Sequence, residues 1–99
     1  MAFTVSMAFT REDTDTDWYS NSSEWTTFSN AQAAAGNRTS YNVSVSDNGL
    51  VQTVTAVWED EDALDAAKAD SKVVAHISAR DTYNNSNSIT KRRITYEAS

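Results

Sequence analysis

The stretch "DTDTDWYSNSSE", Asp13 to Glu24, has the spacing of a cation site. Asp13, Asp15, Asp17, Asn21 and Glu24 fall at positions one, three, five, nine and twelve, the oxygen-ligand rhythm of an EF-hand calcium loop, and Tyr19 supplies the backbone carbonyl of position seven. Three features oppose an ion there. Trp18 stands where the motif's sharp turn needs glycine. The residues before it alternate like a strand, whereas the motif needs an entering helix. Glu24, three residues after Asn21, also has the spacing of a capping box.

His76 is the only histidine and the one residue suited to general-base or axial-ligand work. It lies in an apolar helical pattern beside Val74 and Ile77, where a structural imidazole is the commoner outcome. The acids Glu59, Asp60, Glu61, Asp62 and Asp65 crowd the start of a helix. They complement its dipole there, and consecutive helical positions do not converge on an ion. The chain has no cysteine, so disulfides, thiol nucleophiles and zinc–thiolate sites are excluded. Phosphate loops, HExxH and GxSxG are absent from the sequence, and no cofactor is expected. The net charge of −6 argues against nucleic acid as a partner, since phosphate contacts need clustered cations. Lys91-Arg92-Arg93 reads as a strand with solvated charges near an edge. No apolar run is long enough for a membrane span, and the first residues do not have the pattern of a secretory signal, so a soluble cytoplasmic or virion setting is expected. Four Asn-X-Ser/Thr triplets are expected by chance in so Asn/Ser/Thr-rich a chain.

The elements that must position these residues follow from periodicity. Phe3, Val5, Met7 and Phe9 alternate with Thr4, Ser6, Ala8 and Thr10, which predicts a half-buried strand. Residues 22–35 predict a helix with Trp25, Phe28, Ala31 and Ala35 on its apolar stripe and Gly36 just past its end. Residues 40–58 predict a hairpin about Asn48-Gly49. A two-residue turn there sets Val45 opposite Gln52, Val43 opposite Val54 and Tyr41 opposite Ala56. From Trp58 onward a second helical region runs towards Tyr83, with Leu64, Ala67, Val74 and Ile77 inward. A break is expected at Asp70-Ser71, with Ser71 as cap. The last strand carries Ile94 and Tyr96 on one face and Arg93, Thr95 and Glu97 on the other.

The order β–α–β–β–α–β predicts one α+β domain over residues 1–99, ferredoxin-like, with a four-stranded antiparallel sheet and both helices on one face. The other face then carries Thr4, Ser6, Ala8, Val51, Thr53, Thr55 and Val57. Small and β-branched residues suit sheet-on-sheet packing, so a homo-oligomer or protein partner is expected on that face. The function expected first is that of a non-enzymatic assembly or binding protein, compatible with a virion or other structural component.

The element order, with Trp58 running into "EDEDALDAA" and then His76, resembles the antibiotic-biosynthesis-monooxygenase-like family of dimeric α+β barrels. That resemblance implies a homodimer packed sheet to sheet. It also implies, as the second function, a small-molecule enzyme with a pocket between sheet and helices near Trp18, Trp25, Trp58 and His76. A calcium-binding module through residues 13–24 is the third.

Overall fold

A computed structural model describes residues 1–98. The chain runs β1 (Phe3–Thr10), α1 (Ser23–Ala34), β2 (Arg38–Val45), β3 (Val51–Trp58), α2 (Glu61–Ala69), α3 (Ser71–Ser86) and β4 (Thr90–Ala98). The four strands form one antiparallel sheet in the order β2-β3-β1-β4. The architecture is α+β, with three helices rather than two. The helices pack towards the Phe3/Val5 side of β1, where Phe3, Phe28, Trp58, Leu64, Ala67 and Val73 make the core. No helix among the described residues is long and apolar enough to cross a membrane.

Local chemistry explains the helix boundaries. Ser22, not Asn21, caps α1: its Oγ accepts from the Trp25 N–H at 3.2 Å. Glu24 is thereby left as a first-turn carboxylate that complements the dipole, and the expected Asn21–Glu24 box is not formed. The far end closes as expected. Gly36 takes φ +80°, its N–H donates to the Ala33 carbonyl at 3.1 Å and the Asn37 N–H donates to the Gln32 carbonyl at 3.1 Å. That is a Schellman closure, which needs a left-handed residue at this place.

The second helical region does break at residue 70, but Asp70 is the cap. Its backbone is extended, and its carboxylate accepts from the Lys72 N–H at 2.8 Å. The break resets the helical phase. Val73 therefore turns into the core at 5% exposure while Val74, expected inward, is 55% exposed. Asp60 caps α2 through the Ala63 N–H, with Glu61 and Asp62 in the first turn, the electrostatic role expected of that cluster.

The hairpin pairs Val45 with Gln52, Val43 with Val54 and Tyr41 with Ala56, as the alternation predicts. Its turn is different. The Gly49 N–H donates to the Ser46 carbonyl and the Ser46 N–H to the Val51 carbonyl, both at 2.9 Å. Only Gly49, at φ +75°, has the left-handed backbone, so this is a four-residue loop and not a type I′ turn. Both loops are centred on the same bonds, which is why the register survives.

Two β-bulges alter the edge strands. On β2, Arg38 pairs with Trp58 and Ser40 with Val57, leaving Thr39 extra. On β4, Arg93 pairs with Met7 and Thr95 with Ser6, leaving Ile94 extra. Strict alternation would place Thr39 and Ile94 on the helix side of the sheet. The bulges place Arg38 and Arg93 there instead, and leave Ile94 51% exposed. The expected face for Arg93, opposite that of Tyr96, is corrected accordingly.

Candidate functional site

The sheet and the helices do not close on each other. Between them lies a cavity of about 420 Å³, and no side chain among the described residues is completely sealed from solvent. The sheet floor is built by inward positions of all four strands: Val5, Met7 and Phe9, with Tyr41, Val54, Ala56 and Tyr96 around them. The roof comes from one stripe of α1 (Trp25, Phe28, Ser29 and Gln32) and one of α3 (Val73, His76, Ile77 and Arg80). Trp18, Trp25, Trp58 and His76, expected from sequence to surround a pocket, all line it.

The loop 11–22 forms one wall. Arg11 fastens it, with Nε donating to the Gly49 carbonyl at 2.8 Å and Nη1 to the Thr16 carbonyl at 2.6 Å. The Arg11 guanidinium also lies 4.5 Å from the Trp18 ring centroid. From the other side Tyr83 Oη donates to the Asp17 carbonyl at 2.6 Å. These ties present Trp18 and Tyr19 to the cavity.

The same loop is the expected calcium segment. Asp13 Oδ1 accepts from the Asp15 and Thr16 N–H groups, both at 3.1 Å, and so serves its own turn. Asp13, Asp15, Asp17, Asn21 and Glu24 are all exposed. Among the described residues no group of three or more His, Asp or Glu side chains is placed to hold a metal ion.

His76 is 9% exposed. Its ring stacks on Trp25 with centroids 4.0 Å apart and planes 8° from parallel, and Tyr19 approaches at 5.8 Å. Its Nδ1 is buried without a hydrogen-bond partner. Burial, with the Arg80 charge adding to it and Asp81 opposing, pushes its pKa down to about 4. The imidazole is therefore neutral at pH 7. Among the described residues no carboxylate hydrogen-bonds its Nδ1 as in a catalytic dyad.

Four cations line the cavity. Arg38 reaches over the Tyr41 ring at 4.8 Å and donates through Nη1 to Ser29 Oγ. Arg80 lies 5.3 Å over Phe9 and pairs with Asp81 at 3.3 Å. Lys68 contacts Tyr96 Oη, which raises its pKa, and Arg93 lies 4.4 Å over the Tyr96 ring. Sequence reasoning missed Arg38 and Arg93 because both depend on bulges. Of the run Lys91-Arg92-Arg93, only Arg92 pairs on the opposite face, against Ala8.

That opposite face is as expected in composition. Thr4 pairs with Val57, Ser6 with Thr55 and Ala8 with Thr53, and Val51 sits across from Thr10. Ser6 and Thr55 share a hydrogen bond of 2.9 Å between their hydroxyls. Compared with known protein families, curated proteins and solved structures, the chain matches none. The resemblance drawn from the Trp58–His76 segment therefore stands on fold-level likeness alone.

Proposed function

We propose that this chain is a small ligand-binding protein of ferredoxin-like build, whose cavity between sheet and helices takes an apolar molecule with an aromatic body. The strand order β2-β3-β1-β4 supports that build, with α2 and α3 together filling the place of the second helix. The carrying observation is the cavity of about 420 Å³ walled by three tryptophans, Tyr19 and His76. The space is open to solvent beside Tyr41 and Val43 of β2, so a small molecule can enter it and displace water from its apolar walls. Its make-up, mostly apolar with a few polar groups, is that of small-molecule sites.

Binding is favoured over catalysis because the Nδ1 of His76, the one candidate base, has no orienting hydrogen-bond partner among the described residues. The test is a titration with the uncharged fluorophore N-phenyl-1-naphthylamine, followed by amide NMR shifts. Saturable shifts at Trp25, Trp58 and His76 support the proposal. No shift with either this probe or an anionic naphthyl probe of the same shape would sink it.

A second property is favoured by the open face. No second layer covers it, yet Ser6 and Ala8 are only 8% and 4% exposed, because neighbouring strands crowd these short side chains. The result is a shallow, hydroxyl-rich surface that another sheet can approach closely. We infer that two copies pair through Thr4, Ser6, Val51, Thr53, Thr55 and Val57, the assembly that the dimeric-barrel resemblance implies. Sedimentation tests this pairing.

A further inference from the structure

The charges around the cavity run against the composition of the chain. Acidic residues outnumber basic ones 14 to 8. Yet the wall carries Arg38, Lys68, Arg80 and Arg93 and no carboxylate. Lys68 and Arg80 have acidic partners beyond the wall, Asp65 at 3.6 Å and Asp81 at 3.3 Å. Arg38 and Arg93 have no ion-pair partner among the described residues. Both reach the wall only because a β-bulge on an edge strand turns them inward. Bulges recur where a strand must re-aim a side chain at a site.

Arg38 carries the argument furthest. Its Nε is buried with no hydrogen-bond partner. A buried donor left unpaired is destabilising, and more so when the group is charged. Its one hydrogen-bond partner is the Ser29 hydroxyl, a neutral group. A guanidinium without an ion-pair partner at an apolar wall suits an oxyanion placed against its Nη groups.

Arg38 and His76 meet the same helix: Ser29 touches Arg38, and Trp25, one turn earlier on α1, stacks on His76. At the far end stands the His76 ring, stacked on Trp25.

We propose that the ligand is a small organic anion, a carboxylate or sulfonate on a flat apolar body, with its acidic group on Arg38 and its body lying along Trp25 towards His76. This rests on the ligand-binding function proposed above and assigns the ligand's chemical class.

The test compares two probes of nearly the same shape on the folded full chain. One is the anion 1-anilinonaphthalene-8-sulfonate, the other its uncharged analogue N-phenyl-1-naphthylamine. The anion is expected to bind one to one, about tenfold tighter or more. Arg38→Gln should remove that advantage, weakening the anion far more than the neutral probe, while Lys72→Gln, a substitution of an exposed cation, changes neither. On the unaltered protein, raising salt from about 20 mM to about 500 mM should weaken the anion several-fold and spare the neutral probe. This second measurement holds even if Arg38→Gln does not fold. Equal affinity for the two probes, or an anion affinity indifferent to salt, overturns the anion assignment alone. Failure of both probes to bind overturns the cavity function with it.

Discussion

The imidazole of His76 lies flat on the indole of Trp25, 4.0 Å between centroids and 8° from parallel, with its Nδ1 facing no partner. This contact holds α3 against α1 and fills part of the roof. It also gives the fold an acid sensitivity. The His76 pKa falls from an ordinary 6.5 to about 4, chiefly because burial disfavours the charged ring. Between those values the unfolded chain binds a proton that the folded chain does not. Stability is therefore lost as pH falls through this window. Urea unfolding of the parent and of His76→Phe, which keeps a ring on Trp25, should show the parent losing more stability between about pH 6.5 and pH 4. Parallel curves would mean that the histidine is not buried neutral.

A filling substitution tests the cavity without touching its polar groups. Ala56 lies on β3 between Val5 and Tyr41 and lines the floor. In a close-packed core, adding methylenes costs about 1–3 kcal/mol. Here Ala56→Leu enters open space, so stability should stay within about 1 kcal/mol of the parent or rise. Affinity for N-phenyl-1-naphthylamine should fall about tenfold or more. Calorimetric unfolding and a fluorescence titration read the two quantities separately.

The two glycines should respond unequally to alanine. Gly36 has φ +80° and nothing within 4 Å of where an alanine methyl would stand, so Gly36→Ala costs only the left-handed backbone, about 1 kcal/mol. At Gly49, φ is +75° and the methyl would meet Thr14 Cγ2 at 3.2 Å and Arg11 Nη2 at 3.5 Å. Arg11 is the group that fastens loop 11–22, so Gly49→Ala should cost more and also shift the emission of Trp18. Chemical denaturation with fluorescence detection follows both.

How far the sequence could be read depends on what each feature rests on. The hairpin register was legible because Tyr41, Val43, Val54 and Ala56 alternate, and a slip by one residue would turn one strand's set to the opposite face from the other's. The helix starts and the end of α1 were legible to within a residue or two, since Ser, Asp and Gly have local reasons to stand there, whereas α3 runs on to Ser86, past the expected end near Tyr83. Asp70 displaced Ser71 as cap, and that single shift moved Val73 inward in place of Val74. The bulges at Thr39 and Ile94 left no local mark, because they come from pairing with a partner strand far along the chain. Arg38 and Arg93 were hidden for that reason. The cavity itself depends on the spacing of two layers, which no periodicity encodes. Trp25, Trp58 and His76 surround it because α1, β3 and α3 each bring an aromatic or imidazole to the same side of the sheet, and Trp18 reaches it from loop 11–22. The calcium spacing, by contrast, was a pattern of residue types without the turn that would gather them. Asp13 spends its carboxylate on its own loop, and the segment's contribution to the cavity is Trp18 and Tyr19.

Pairing through the open face predicts a specific sensitivity. Thr53 lies at the centre of that face, beside Ala8 on β1 and Ser44 on β2. Ala8 is too short to cover it, so a long charged side chain at residue 53 would stand out of an otherwise shallow surface. In a monomer Thr53→Arg should change stability by less than about 1 kcal/mol, the usual effect of a surface substitution. Across a sheet-to-sheet interface two such arginines, one from each copy, would meet near the two-fold axis, unpaired and desolvated, at a cost of several kcal/mol. Sedimentation velocity should show the parent as a dimer at tens of micromolar and Thr53→Arg as a monomer with unchanged circular dichroism. The cavity lies on the other side of the sheet, so the monomeric variant should still bind both naphthyl probes. A parent that sediments as a monomer at millimolar concentration would leave this face without a second copy, and the ligand site would then be the chain's one supported function.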